Sequence, residues 1–211
     1  MFADDQLAQL ERAAGILCGV KLVCPHDQIP LWEESTHLRY RCVECGRTYG
    51  RHGMVWDLRA DGDALADAED QVHAESGEPT WRRLVLGKAE RIREFERRWL
   101  PEFVGTRAFL ELGGGLSYAS ALVKLASPRT VVVAADVSLR YLVHHAVGTA
   151  AFLEAPVDVW AAADARRLPF ADGQFDRVWS AMLLYRLPDP AQAVAEIRRV
   201  LAPGGRWVGL E

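Results

Sequence analysis

Apolar positions run in unbroken stretches at 107–112, 130–135, 157–162, 175–181 and 206–210, too continuous for strands with one wet face. Helical stretches lie between them, near 117–126, 138–150 and 190–201. This alternation predicts a parallel sheet with helices on both faces. Upstream, a helix is expected from about Trp81 to Leu100, apolar at Leu84, Ile92, Phe95 and Trp99 with arginines between, and closed by Pro101. Residues 21–59 change character to short β-prone pieces that hold three of the four cysteines. Residues 60–80, RADGDALADAEDQVHAESGEP, are acidic and poor in large apolar side chains, the composition of a connector. Residues 1–20 read as a short helix. Four units follow: helix 1–20, a small domain 21–59, an acidic linker 60–80 and a strand–helix domain 81–211.

Composition narrows the function classes. A chain of 211 residues buries one full core with room for a small appended module. A formal net charge of -4 gives no global electrostatic reason to expect nucleic acid as a partner. The opening MFADDQLAQLERAAG lacks the basic-then-apolar pattern of a secretory signal, and no apolar run approaches the ~20 residues of a membrane span. Cys18, Cys24, Cys42 and Cys45 are then expected in a reducing, cytoplasmic setting, where metal binding or free thiols prevail over disulfides.

The candidate chemistry begins with FLELGGGLSYASALVKLA, residues 109–126, in which three glycines leave a strand and open a helix. Such a turn lets backbone approach a ligand closely and aims a helix N-terminus at it, although a glycine there also serves packing alone. Asp136 ends the next strand, VVVAAD, where an acid accepts hydrogen bonds from ribose hydroxyls. The dinucleotide pattern fails because its sixth position from Gly113 is Tyr118, and no G-K-[ST] is present for a triphosphate. Glu111, at the strand end, repels phosphate and suits a cationic ligand. The loop therefore favours an adenosine that carries positive charge.

On these residues the chain resembles the class I S-adenosylmethionine-dependent methyltransferases, with Ser117 in "LELGGGLS" where many members have a third glycine. The resemblance continues through "VVVAADVS", "ADARRLPFADGQFDRVWS" and "AVAEIRRVLAPGGRWVGLE", covering roughly residues 83–211, and points to the ubiquinone/menaquinone-biosynthesis-like branch. It implies a Rossmann-like doubly wound parallel sheet; five of its strands are predicted, and the C-terminal hairpin of the usual seven-stranded fold is absent, so a truncated domain or one that does without the hairpin is expected. It also implies that Gly113, Gly114 and Gly115 pass beneath the methionine moiety of S-adenosylmethionine with Glu111 near its ammonium group. Asp136 and Val137 would meet the ribose side, and Asp164 with Ala165 the adenine edge. Ser180 would line the pocket near the sulfonium or pack within the sheet. Asp176 and Pro203-Gly204-Gly205 match motifs that read as structural. His144, His145, Tyr118 and Tyr185 are candidate general bases among which nothing selects. The branch often carries a histidine pair where Tyr185-Arg186 stands, so the acceptor stays open, with a small molecule narrowly preferred over RNA or protein. The incomplete sheet would leave an exposed edge for pairing of two copies as a homodimer. A methyltransferase-like binding subunit without turnover, and a nicotinamide-dependent reductase, are the alternatives.

Residues 22–59 look like the zinc-ribbon module found at the N-terminus of some methyltransferases and are similar to the activator-subunit fold of certain tRNA methyltransferases. Cys42-x-x-Cys45 is an intact knuckle, whereas Cys24-Pro25-His26-Asp27 has Asp27 where the second thiolate belongs. Asp27 or His26 would complete a zinc tetrahedron. The alternative is a metal-free ribbon held by Leu31, Trp32, Tyr49 and Trp56. Cys18 reads as a buried thiol.

Overall fold

The computed structural model describes residues 15–34, 39–60, 67–71 and 81–211. The expected strands all form: β7 (Ala108–Leu112), β8 (Val131–Asp136), β9 (Val159–Ala162), β10 (Phe175–Ala181) and β11 (Leu201–Leu210). Six more precede them: β1 (Ile16–Leu17), β2 (Val20–Lys21), β3 (Trp32–Glu33), β4 (Tyr40–Arg41), β5 (Thr48–His52) and β6 (Val55–Asp57). β1 and β2 form a hairpin where the pattern had predicted helix 1–20; residues 1–14 lie outside the described ones. Cys18, in its turn, is exposed and not buried.

Among the described residues one sheet of nine strands runs β11-β10-β7-β8-β9-β6-β5-β4-β3. The pairings from β11 to β9, and that of β9 with β6, are parallel, while those from β6 to β3 are antiparallel. The cysteine-rich module is therefore part of the main sheet. Its last strand, β6, pairs in parallel with β9, in register Val55↔Trp160 to Asp57↔Ala162. A second tie joins the module to residues 169–174, where Val23 donates to the Pro169 carbonyl and Ala171 to that of Lys21.

The strand pleat sends alternate residues to opposite faces. Leu110, Leu112, Val133, Ala135 and Ala161 meet Leu22, Leu31, Tyr49 and Trp56 of the module, together with Ile197 and Val200 of α6 (Pro190–Val200). Phe109, Val132, Ala134 and Ala162 face the other helices: α2 (Ala89–Arg98), α3 (Tyr118–Ala126) and α5 (Val147–Phe152). One face is thus covered by helices, and the other by one helix and the module. The predicted helix 81–100 is broken at Lys88 into α1 (Trp81–Gly87) and α2. α5 follows α4 (Leu139–Tyr141) and a π-helical turn, Leu142–Ala146.

Carboxylates pin the starts of the strands, at the sheet end away from the glycine turn. Asp176 accepts from the Arg107 and Ala108 amides at 2.7 and 3.1 Å, and Asp158 from Val132 N and Lys124 Nζ at 2.8 and 2.7 Å. The run at 206–210 is half exposed because β11 forms the outer strand, and Pro203-Gly204-Gly205 lies inside it as an irregularity opposite Phe175–Arg177.

Candidate functional site

A cleft opens where β7, β8, β9 and β10 end together, the position at which parallel sheets bind ligands. The glycine turn forms its floor. Gly113 (φ +63°) and Gly115 (φ +53°) take left-handed backbone, and a Cβ on Gly114 would lie 2.9 Å from the Glu111 carboxyl carbon and 2.7 Å from Ser117 Oγ. Asp136 staples this turn to its own: Oδ2 accepts from Gly115 N at 2.9 Å and Oδ1 from Ser138 N at 3.0 Å. Glu111 is 2 % exposed, with Oε2 accepting from Ser120 N at 2.8 Å in the first turn of α3. Burial pushes its carboxyl up to about 7 against the pull of the Ser120 donor, and nearby Asp136 adds to the rise.

The cleft has two joined compartments. One, of about 260 Å³, is bounded by Glu111, the three glycines, Asp136 and Tyr141, with Lys88 and Arg186 at its sides. It continues past Val137, Asp164 and Ala165. The other, of about 250 Å³, is walled by Phe95, Trp99, Tyr118 and Trp179, with Arg91, Glu94 and Glu211 also lining it. Arg91, Tyr118, Ala181 and Met182 line both. Met182 has left-handed backbone (φ +54°), and its sulfur lies 3.3 Å from Arg91 Nη1.

Of the residues singled out by sequence, Glu111, Gly113, Gly114, Gly115, Asp136, Val137, Asp164 and Ala165 all line this cleft. The Asp164 carboxylate is gripped by the Arg166 guanidinium at 2.6 and 2.9 Å, so its charge is already paired. Ser180 is not on the wall. It is fully buried and accepts from Trp207 Nε1 at 3.0 Å, because the strand pleat turns it to the side opposite Trp179, and Ala181 and Met182 reach the cleft instead. Tyr118 and Tyr185 line the cleft; His144 and His145 lie in the π-helical turn, and the His145 ring packs 4.7 Å from that of Tyr141. Sequence reasoning missed Glu69. This residue belongs to the supposed linker, yet it lines both parts of the first compartment and pairs with Arg186 at 2.7 Å. Its acidic, non-periodic surroundings carried no signal of that contact.

The cysteine module gathers Cys24, Asp27, Cys42 and Cys45, whose ligand atoms all lie within 4.8 Å of one another. Cys24 and Cys45 Sγ are 3.8 Å apart, and Asp27 Oδ2 stands 3.4 Å from Cys24 Sγ and 3.2 Å from Cys42 Sγ. The tight turns are formed, with Gln28 N bonded to the Cys24 carbonyl and Gly46 N (φ +72°) to that of Cys42. Thiols beside the Asp27 carboxylate, Cys45 and Cys42 foremost, hold it below the usual range.

A methyltransferase-domain family matches residues 110–209. The ubiquinone/menaquinone biosynthesis C-methyltransferase UbiE of Desulfotalea psychrophila is 33% identical over 152 residues, 71% of this chain and 55% of that protein. A demethylmenaquinone methyltransferase of Lactiplantibacillus plantarum is 54% identical over 48 residues, 23% of this chain and 20% of that one. Residues 110–209 are a methyltransferase domain of the class I S-adenosylmethionine-dependent kind. The match falls in the UbiE-like branch, and the chain spans about half the length of the UbiE relative (55%). The solved structure of the PH0226 protein from Pyrococcus horikoshii aligns with a TM-score of 0.49 at 28% identity, covering 57% of this chain and 53% of that one. Membership in this family displaces the nicotinamide alternative. Among the described residues no helix is long and apolar enough to cross a membrane.

Ser117 adopts the left-handed backbone that favours glycine (φ +52°), with its Oγ buried and unpartnered. Ser117→Gly removes both the steric cost and the unsatisfied hydroxyl. It is expected to stabilise the fold by about 1 kcal/mol in chemical denaturation, and a loss of stability would refute this account. Glu111 gives a second test. A carboxyl raised from its ordinary 4.5 to about 7 favours the folded state when protonated, so its contribution is complete below about 4.5 and is lost as pH rises through 7. Glu111→Gln should gain about 3 kcal/mol over wild type between pH 5 and pH 8 in paired melts. Parallel pH profiles would show that the carboxyl is not desolvated in this way.

Proposed function

We propose that this protein transfers the methyl group of S-adenosylmethionine to a small acceptor, held in the aromatic compartment. The reading is carried by the glycine turn, whose middle residue leaves no room for a Cβ and whose last amide is bonded to Asp136. The turn itself carries no lysine, and the Glu111 carboxyl in its floor suits a cationic nucleoside better than a phosphate. Gly113, Gly114 and Gly115 would lie beneath the methionine moiety, with Glu111 close to its ammonium group. Asp136 and Val137 would meet the ribose, and Ala165 and Asp164 the adenine edge.

Bound S-adenosylmethionine supplies an activated methyl group, and the protein's part is to align the acceptor with it and to keep water out. The rings of Phe95, Trp99, Tyr118 and Trp179 suit a flat or apolar molecule. Met182 and Ala181, shared by both compartments, occupy the boundary where the methyl group would cross. Burial pushes the Tyr118 hydroxyl up to about 12, further from neutral pH, so it offers a hydrogen bond to a bound acceptor and does not act as a base. The names of the UbiE and demethylmenaquinone relatives accord with an acceptor of this kind.

Titration calorimetry with S-adenosylmethionine and S-adenosylhomocysteine, with NADH as control, tests the reading. Micromolar binding of both sulfur nucleosides is expected, weakened at least tenfold by Asp136→Ala, since that change removes acceptors for the ribose and for Gly115. Binding of NADH alone would overturn it, and binding without turnover on any small aromatic acceptor would favour a regulatory subunit.

We also propose that Cys24, Asp27, Cys42 and Cys45 hold one zinc ion, in a reducing, cytoplasmic setting. A tetrahedron with Zn–S near 2.3 Å has sulfur–sulfur edges of about 3.8 Å and shorter sulfur–oxygen edges, which the Cys24–Cys45, Cys24–Asp27 and Cys42–Asp27 distances match, and all four ligand atoms lie within 4.8 Å of one another. Elemental analysis should find one zinc per chain, reduced by Cys45→Ser, with a lower melting temperature after chelation. Metal-free protein of unchanged stability would leave the module as an apolar ribbon.

A further inference from the structure

The acidic segment between module and methyltransferase domain is built into the cofactor site. Arg59, just beyond β6, is clamped by Asp57 through two parallel bonds of 2.8 Å, Nε to Oδ1 and Nη2 to Oδ2. The clamp aims Nη1 at Asp70 Oδ2, 2.9 Å away, and at the Val137 carbonyl, 3.4 Å away. The other Asp70 oxygen accepts from Ser138 Oγ at 2.6 Å and from Arg140 N at 3.0 Å. Ser138 in turn caps α4 by accepting from Tyr141 N at 3.0 Å, and donates its own amide to Asp136. A continuous chain of bonds therefore runs from β6 to Gly115: Asp57, Arg59, Asp70, Ser138, Asp136.

We propose that Arg59 and Asp70 are positioning residues for the cofactor: they hold the Asp136–Ser138 turn, and through it the glycine loop, in the binding geometry. The inference rests on the cofactor reading above. Neither residue lies within the matched stretch 110–209. Their effect is local and electrostatic. Asp70 takes three donors from two segments of the chain, one from Arg59 and two from the turn at Ser138–Arg140, and Ser138 is 1 % exposed, so removing the carboxylate leaves a buried donor without its acceptor at the turn that carries Asp136. Arg59, 15 % exposed, is the cation that makes an acid tolerable there.

The test uses the full chain with Asp70→Ala, Asp70→Asn, Arg59→Met and the double variant Arg59→Met/Asp70→Ala. S-adenosylhomocysteine titration is combined with hydrogen exchange at the Gly115, Ser138 and Arg140 amides in the ligand-free protein. Lys124→Met serves as a control, since it breaks a buried pair at the opposite end of the sheet. Asp70→Ala and Arg59→Met should each weaken binding about tenfold and speed exchange at those amides. The double variant should be little worse than either single one, because the two act as a unit. Asp70→Asn, which keeps an oxygen for Ser138 and Arg140, should recover part of the affinity. Lys124→Met should lower the melting temperature with affinity unchanged. The inference is overturned if folded Asp70→Ala binds and exchanges as wild type, if the single losses add fully, or if every variant loses affinity only in proportion to stability. Wild-type protein that binds neither sulfur nucleoside defeats the cofactor reading and this inference together; wild-type binding with an unaffected Asp70→Ala defeats this inference alone.

Discussion

The parallel register of β7, β8 and β9 is the constraint on which the site depends. Glu111 stands opposite Ala134, Leu112 opposite Ala135 and Asp136 opposite Ala162. Parallel strands end at one edge, so four separate loops meet there without any long-range recognition between their side chains. A slip of one residue would carry Glu111 to the face where Leu110 and Leu112 pack, and would replace it beneath the glycine turn by a leucine. Carboxylates at the far end guard the register. Asp158 holds the start of β8 through Val132 N, and Asp176 the start of β7 through Ala108 N.

At the cleft, acids perform two kinds of work. Asp136 spends both oxygens on backbone amides and so shapes the turns that a ligand would meet. Glu111 lies in the floor, where it accepts from Ser120 N, and burial has made its ionisation costly. A cationic ligand would repay that cost by favouring the charged form, which links cofactor choice to the desolvation of one side chain. The same reasoning explains why Gly114 has no side chain: a methyl group there would collide with Glu111 itself.

The cysteine module is an extension of the enzyme's sheet. Because β6 pairs with β9, the end of the module stands one strand from Asp136, and Arg59 reaches the turn after β8. A small unit of short strands gains stability from this arrangement, since its apolar residues Leu22, Leu31, Tyr49 and Trp56 share a core with the parallel strands. Its Cys42–Cys45 knuckle forms the turn between β4 and β5, and β5 pairs with β6, the strand that joins the parallel sheet.

Much of this was legible in the sequence. Unbroken apolar runs marked the five strands of the parallel sheet, because strands buried on both faces need no alternation, and the order of short motifs placed the glycines, Glu111, Asp136, Asp164 and Ala165 at one edge. The Cys24–Asp27 and Cys42–Cys45 knuckles were likewise set by spacing, since tight turns are local. Position across the sheet was not local. Ser180 went into the core and Met182 to the cleft because the pleat and the left-handed bend after β10 decide orientation, and neither is written in composition. The hairpin at Ile16–Lys21 replaced a predicted helix because contacts with residues 169–174 outweighed weak local propensity. Only the tertiary structure brought Arg59, Glu69 and Asp70 to the site, since ion pairs between distant segments follow from chain geometry and leave no periodic trace.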